Sequence, residues 1–136
     1  MLRGAFFCGA LASTVLACAT SRPASVDVVQ RQLEAYNAQD IDAFAATYAD
    51  DVIVTRGPDK KPFVQGKQQL REVYSTMFGK YPNCRARIAE RRTEGDNVVL
   101  DHEIVTGRGP ERPDPWDVGF VRYTVENGKI KSVEIP

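Results

Sequence analysis

The order of two hydrophobic periodicities restricts the fold of this chain more than any other feature of its sequence. Before Pro82, apolar residues recur every three or four positions, which places them on one face of a helix. After Pro82, short segments have the composition and spacing of strands, separated by turn residues. Helices that precede strands, instead of alternating with them, predict an α+β fold with the helices on one face of a mostly antiparallel sheet.

Three helices and one short strand are predicted in the first half. The first helix has Ser25 as its N-cap. The second has Asp40 as its N-cap and carries Tyr48 at the end of its apolar stripe. A β-branched strand follows at 52–54, and Gly66 precedes the third helix. The apolar stripes of the three helices are Val26, Val29, Leu33 and Tyr36; Ile41, Phe44, Ala45 and Tyr48; and Leu70, Val73, Tyr74, Met77 and Phe78.

The second half predicts a run of strands joined by turns. Asn127-Gly128 is a strong hairpin signal, because a type I′ turn needs positive φ at both central residues. The segments 57–62 and 107–115 contain glycine and several prolines and are predicted to be turns or loops. The predicted strands are 85–93, 98–106, 116–125 and 129–135.

The first residues differ in character from the rest. Arg3 is the single charge before an apolar run that ends in small residues, which is the layout of a secretory signal. The segment Val15-Leu16-Ala17-Cys18 resembles the lipobox of bacterial lipoproteins, whose cysteine is lipidated. Ordinary cleavage after Ala19 is the alternative. We therefore predict a signal peptide at 1–17, a tether at 18–25 and a folded domain at 26–136, with lipid attachment at Cys18 and a location at the cell envelope.

Charge and residue content exclude several classes of function. Lys plus Arg and Asp plus Glu both number 18, so the chain lacks the basic excess of a nucleic-acid binder. Apolar residues make up 43% of the chain, enough for a packed core. The sequence holds one histidine and three cysteines, and no phosphate-binding loop, nucleophile elbow or His-Glu-x-x-His motif. We predict neither a metal site nor a cofactor.

Four segments of the sequence together form a recognisable pattern. They are Gln39-Asp40-Ile41-Asp42, Tyr48-Ala49-Asp50-Asp51-Val52, the Gly66-led helix and Asn127-Gly128-Lys129-Ile130. In this order they resemble the nuclear transport factor 2-like (cystatin-like) superfamily, within its SnoaL-like and ketosteroid-isomerase-like branch. The resemblance extends from Val26 to Ile135 and implies a curved sheet wrapped around helices, with a pocket inside the resulting cone. It also implies a homodimer.

The same resemblance provides a test for ketosteroid isomerase activity. Those enzymes use a tyrosine, an aspartate base and a protonated aspartate. In this chain the three roles fall on Gln32, Arg56 and Phe120, and none of these side chains has the required chemistry. Ketosteroid isomerase activity is therefore not expected.

One cluster of ionisable residues is a candidate catalytic site. Strand alternation places Asp101 and Glu103 on one face, which by resemblance lines the pocket. On the next strand, Val118, Phe120 and Arg122 are predicted to share that face. Carboxylates beside a guanidinium suit the binding of a polar ligand or the positioning of a water molecule. A structural ion pair or a solvated sheet face is the alternative.

The remaining conspicuous side chains have simpler interpretations. Three tyrosines, Tyr36, Tyr48 and Tyr74, lie on apolar helix faces and belong to the core or to the pocket wall, and Trp116 and Phe120 are also expected to line the pocket. His102 is expected to be an ordinary sheet residue. The basic run Arg85, Arg87, Arg91 and Arg92 is interpreted as a solvated strand face.

These observations favour a lipid-anchored domain that binds a small, partly apolar molecule, or a non-catalytic association module. The alternative is an enzyme of the hydrolase, dehydratase or cyclase type that uses Asp101, Glu103 and Arg122. The expected partners are a small-molecule ligand, the membrane through the anchor, and a second copy of the chain. The dimer is expected to form through the sheet face that points away from the helices.

Overall fold

Three helices and six strands make up the fold, and all of them except one strand follow in the order that the periodicities predict. The computed structural model describes residues 21–136, so the predicted signal peptide and Cys18 lie outside the described residues. Within that range the α+β prediction is confirmed: the helices pack on one face of a mixed sheet. The elements are α1 (Ala24–Ala38), α2 (Ile41–Ala46), β1 (Tyr48–Arg56), β2 (Lys61–Gln65), α3 (Lys67–Lys80), β3 (Arg85–Glu94), β4 (Val98–Thr106), β5 (Trp116–Glu126) and β6 (Lys129–Ile135).

The sheet is antiparallel except at one strand pair. Its strand order is β2-β1-β6-β5-β4-β3, and only β1 and β6 run parallel. The C-terminal strand thereby joins β1 to the β3–β5 meander. We call the sheet face that packs against the helices the inner face and the opposite one the outer face. No helix among residues 21–136 is long and apolar enough to cross a membrane.

Side-chain and backbone hydrogen bonds define the ends of the first two helices. Asp40 caps α2 as predicted, since its Oδ1 accepts a hydrogen bond from the Ala43 amide at 3.0 Å. The N-cap prediction for Ser25 is wrong, because α1 already begins at Ala24, after Pro23, and Ser25 is buried within the first turn. The first helix therefore starts without a side-chain cap.

The strand β1 begins earlier than its sequence indicates. Tyr48 was predicted to lie in the second helix, but the Thr47 hydroxyl donates to the carbonyl of Phe44 at 2.7 Å and closes the helix there. The Thr47 carbonyl then accepts from the Ile130 amide at 2.9 Å, which starts the pairing with β6. Pairing with a distant strand thus overrides the helical spacing of Tyr48. The short edge strand β2 was not predicted, because Pro62 interrupts its pattern.

Two glycines set the geometry of β5. The hairpin to β6 is a turn with φ of 50° at Asn127 and 73° at Gly128, which confirms the predicted type I′ signal. Gly119 has φ of 86° and lies where the register to β4 shifts between Glu103 and Ile104. The strand therefore contains a β-bulge at Gly119, and one extra residue reverses its alternation.

An aromatic cluster occupies the space between the helices and the inner face. The ring of Phe44 is at its centre, with centroid distances of 4.7 Å to Tyr74 and 5.0 Å to Tyr48. Tyr36 and Phe78 complete the cluster, 5.6 Å apart with an edge-to-face arrangement. Burial of these rings holds the helices against the sheet and forms one wall of the cavity described next.

Candidate functional site

A cavity of about 60 Å³ lies between α1, α3 and the inner face of the sheet. Aromatic and aliphatic side chains form much of its wall, and its polar groups come from tyrosines, Gln32, Glu103 and two arginines. The predicted pocket residues Tyr36, Tyr48, Tyr74 and Trp116 all line it. The other residues that the following paragraphs use from its lining are Gln32, Arg56, Glu103, Arg108, Val118, Val121 and Tyr123.

Glu103 is the one carboxyl group in the cavity lining. It projects from the inner face of β4, and its Oε1 accepts a hydrogen bond from the Tyr123 hydroxyl at 2.5 Å. Burial raises the pKa of Glu103 to about 7, while the hydrogen bond from Tyr123 lowers it and the charge of Asp101 adds to the increase. Both protonation states of Glu103 are therefore populated near neutral pH, so this group can donate or accept a proton.

The phenols around Glu103 remain protonated. Burial raises the pKa of Tyr74 to about 12 and that of Tyr48 well above its usual value. The pKa of Tyr36 is raised too, mainly by burial and further by its contact with Cys84, whose Sγ lies 3.0 Å from the Tyr36 hydroxyl. The cavity thus presents neutral hydroxyl groups, one titratable carboxyl, the amide of Gln32 and the guanidinium groups of Arg56 and Arg108 to whatever occupies it.

Asp101 is not part of the cavity, because it is fully engaged elsewhere. Arg91 binds both of its oxygens, with Nε to Oδ1 at 2.6 Å and Nη2 to Oδ2 at 2.7 Å. The remaining Nη1 of Arg91 donates to Oε1 of Gln30 on α1 at 2.9 Å. The Asp101 side chain is only 2% exposed. This is the structural ion pair that was the alternative interpretation of the acidic cluster, with a different arginine than predicted.

The predicted cluster of Asp101, Glu103 and Arg122 does not form. Arg122 lies on the outer face, where it binds Glu94 at 2.8 Å and approaches Glu134 at 3.5 Å. The bulge at Gly119 is the physical reason. In a regular strand Arg122 would lie on the same face as Val118, which is the inner face, but the extra residue of the bulge turns Arg122 to the outer face.

Phe120 is displaced to the outer face by the same bulge. Its ring lies 5.1 Å from that of His102, and the guanidinium of Arg92 lies 4.5 Å above it. His102 also contacts the carboxylate of Asp117 at 2.8 Å, as an ordinary satisfied sheet histidine does. The pocket prediction for Phe120 is therefore wrong, whereas Val118, which precedes the bulge, does line the cavity.

Sequence reasoning missed Tyr123 and Arg91. A glycine inside a strand pattern is a signal for a bulge, and a bulge at Gly119 would have turned Tyr123 inward. Arg91 was assigned to a solvated strand face, but a register shift between Ile88 and Glu90 turns it toward Asp101. The alternation of residues along β3 gives no sign of this register shift, so the sequence alone could not reveal it.

Gln32 and Arg56 reach the cavity although neither has isomerase chemistry. Gln32 is buried on α1, and Arg56 lies at the end of β1, above the ring of Phe63 at 4.7 Å. Both residues therefore line the cavity, at two of the positions to which the resemblance assigned isomerase roles. In the part of the chain that the structure describes, no group of three histidine, cysteine, aspartate or glutamate side chains could hold a metal ion.

Comparison with known proteins agrees with this architecture. The sequence profile of the family described as the SnoaL-like domain matches residues 29–133. No curated protein sequence matches the chain. A cystatin fold protein from Novosphingobium aromaticivorans is similar, with a TM-score of 0.73, 27% identity, and coverage of 82% of this chain and 97% of that one.

Two further solved structures share the fold. A proposed polyketide cyclase from Sinorhizobium meliloti has a TM-score of 0.69 and 24% identity, covering 81% of this chain and 94% of its own. A computationally designed 17-OHP binder has a TM-score of 0.66 and 14% identity, covering 85% of this chain and 92% of its own. At these identities the likeness concerns the fold alone.

Proposed function

Because the chain belongs to the SnoaL-like domain family, as its sequence predicts, we propose that its cavity binds a small, partly apolar molecule. The Glu103–Tyr123 pair carries the proposal. It places a titratable carboxyl and a hydroxyl in a cavity that also has aromatic and aliphatic walls. A combination of apolar walls and convergent polar groups is typical of small-molecule sites. The protonated carboxyl would donate to a ligand carbonyl or hydroxyl.

The size of the cavity limits what enters without rearrangement. Its volume of about 60 Å³ is well below the roughly 300–1,000 Å³ of sites for drug-sized ligands. Arg108 and Trp116, at one side of the cavity, belong to or adjoin the 107–115 loop. A ligand larger than a few heavy atoms would displace these two side chains. The designed 17-OHP binder supports the proposal, because a protein with the same fold binds a ligand.

Binding to the full-length chain tests this function directly. Trp116 is the single tryptophan and lines the cavity, so its fluorescence reports occupancy. We expect the neutral compounds phenylacetamide and 1-naphthylacetamide to change this fluorescence saturably. The substitution Val118→Phe fills the cavity and should weaken binding by about tenfold or more. Thr124→Phe, on the outer face of the same strand, is the control and should bind like the parent. Equal binding by parent and Val118→Phe would place the ligand elsewhere.

Acid–base catalysis on the bound molecule is the second candidate function. The pKa of Glu103, about 7, is close to the operating pH that favours a general acid or base. The proposed polyketide cyclase among the similar structures is consistent with this chemistry. Glu103→Gln should then abolish turnover of the bound compound and weaken its binding much less, because the glutamine amide can still donate to the ligand. If the parent protein shows no turnover and Glu103→Gln loses binding, Glu103 acts in binding alone.

The location of the protein remains a proposal from the sequence. We propose export by the 1–17 segment and lipid attachment at Cys18, with the domain held at the cell envelope. A non-catalytic association module is less favoured, because the carboxyl of Glu103 lies in a lined cavity and not on an open, hydrated face.

A further inference from the structure

Three arginines surround the side of the cavity where Trp116 lies. Arg56 ends β1, and Arg108 and Arg112 lie in the loop between β4 and β5. Each stacks on an aromatic ring: Arg108 lies 4.5 Å from the Tyr81 centroid, Arg112 lies 4.6 Å from that of Trp116, and Arg56 contacts Phe63 as described above. Arg108 is also 5.9 Å from the Trp116 ring, so two guanidinium groups share that ring. We call these three residues the arginine group.

Within residues 21–136, which the structure describes, no member of the arginine group forms an ion pair with a carboxylate. Arg91 and Arg122, in contrast, both bind carboxylates. The Nε atom of Arg108 is buried and has no hydrogen-bond partner within that range. Its Nη1 contacts the Met77 sulfur at 3.2 Å, which is a weak acceptor. The donors of Arg108 are therefore poorly satisfied by the protein itself.

The three positive charges act on one another. Burial lowers the pKa of Arg56 most, and the charges of Arg112 and Arg108 lower it further, against an opposing effect of Tyr74. Like charges that lie close together and lack counterions repel, and an anion placed between them relieves that repulsion. A planar guanidinium also matches the two oxygens of a carboxylate.

We infer that the ligand is an organic carboxylate with an aromatic or other apolar body, bound with its carboxylate at the arginine group and its body in the cavity. This inference rests on the proposed function and adds the class and orientation of the ligand. The orientation follows from Glu103, on the same cavity wall as Tyr123, since a second carboxylate near it would be repelled. The uncharged end of the ligand therefore points toward Glu103.

Isosteric pairs of compounds separate the charge from the shape. Phenylacetate and phenylacetamide, and 1-naphthylacetate and 1-naphthylacetamide, differ only in replacing a carboxylate by an amide. We expect the full-length chain to bind each carboxylate about tenfold or more tightly than its amide, which corresponds to the strength of a charge-assisted contact. The preference should decrease as salt rises from 0.05 to about 0.5 M, because the arginine group is partly exposed. Titration calorimetry and Trp116 fluorescence both measure it.

Substitutions locate the source of the preference. Arg108→Gln and Arg56→Gln should each reduce the ratio of carboxylate affinity to amide affinity severalfold. Arg122→Gln removes one positive charge on the outer face and should retain the full preference. Circular dichroism checks that the variants are folded, and the salt dependence of the parent protein provides the same test without any substitution.

The outcomes are distinguishable. Equal affinity for carboxylate and amide, or tighter binding of the amide, overturns the carboxylate inference and leaves the proposed binding function standing. Failure of both compounds of both pairs to bind overturns the proposed function. A preference that is equal in Arg108→Gln, Arg56→Gln and Arg122→Gln also overturns the inference, since the preference would then come from the net charge and not from the cavity.

Discussion

Arg91 binds the buried carboxylate of Asp101 through two parallel hydrogen bonds, at 2.6 and 2.7 Å. The pair joins adjacent strands, and through Gln30 it also joins β3 to α1. Its two partners differ in exposure, 20% for the Arg91 side chain and 2% for Asp101. Removal of the arginine would leave a charged group in a site that water scarcely reaches.

The first prediction concerns this pair. Arg91→Gln should lower the free energy of unfolding at pH 7 by about 3–5 kcal/mol, because it leaves an uncompensated buried carboxylate. The neighbouring pair of Arg92 and Glu90 lies at the surface, so Arg92→Gln should have a much smaller effect. Urea denaturation at pH 7 measures both deficits. Equal deficits in both variants would contradict a structural role for the pair.

The second prediction is a pH dependence of stability set by Glu103. Its pKa is raised from 4.5 to about 7, so the folded protein binds a proton that the unfolded chain releases in this interval. The free energy of unfolding should therefore fall as pH rises from about 4.5 to about 7, by up to about 3 kcal/mol in total. Above pH 7 this group should cause no further change.

Glu103→Gln isolates this contribution. The amide keeps a carbonyl oxygen that accepts from Tyr123 but carries no charge. The variant should be more stable than the parent at pH 8 and nearly equal to it at pH 4.5. Glu126→Gln, exposed at the end of β5, is the matched control and should follow the parent profile. Parallel profiles for parent and Glu103→Gln would mean that Glu103 is not buried in the charged state.

The third prediction tests the anchor. A bacterium that expresses the chain and is fed labelled fatty acid should incorporate label into it, since Cys18 follows a lipobox-like segment. Cys18→Ser should not be labelled, and Cys84→Ser should be labelled like the parent. A soluble product that begins at Thr20 would instead indicate ordinary cleavage after Ala19, and equal labelling of the parent and Cys18→Ser would refute lipidation at this residue.

The fourth prediction is a homodimer through the outer face. Ile53, 44% exposed, is an uncovered large apolar side chain of this face, and Phe120 lies on it too. Light scattering of the 136-residue chain, with the 1–17 segment retained, should give about twice its mass of 15.1 kDa. Phe120→Glu should yield the monomer, whereas Ser75→Glu, exposed on α3, should not change the mass. A monomer at tens of micromolar parent protein would count against the dimer.

Hydrophobic periodicity predicted most of the elements but not which side of a strand each residue occupies. The bounds of β4 and β6 and the turn at Asn127-Gly128 agree with the pattern, because they depend on local spacing and turn chemistry. Tyr48 was assigned to the wrong element, since its place in β1 depends on pairing with Ile130, 82 positions away along the chain. Information on such pairing is absent from a local pattern.

Only part of the candidate site could be predicted, because the local pattern also lacks information on register shifts between strands. The cavity tyrosines lie on helix faces, where a period of 3.6 residues reports the buried side directly. Glu103 precedes the register shift of its strand pair and faces the cavity as alternation requires. Arg122 and Phe120 follow the bulge and were assigned to the wrong face. The partner of Asp101 could not be predicted, because Arg91 reaches it only after a second register shift in β3.

The bulge at Gly119 also affects how this strand is compared with those of related proteins. In a relative whose strand is regular at this point, one residue fewer separates the two ends of the cavity wall. An alignment without a gap would then match Tyr123 to a solvent-facing position and Arg122 to a cavity position. Transfer of ligand-contacting residues from such a relative therefore needs a one-residue gap beside Gly119, because every position from there to the end of β5 changes its environment if the gap is left out.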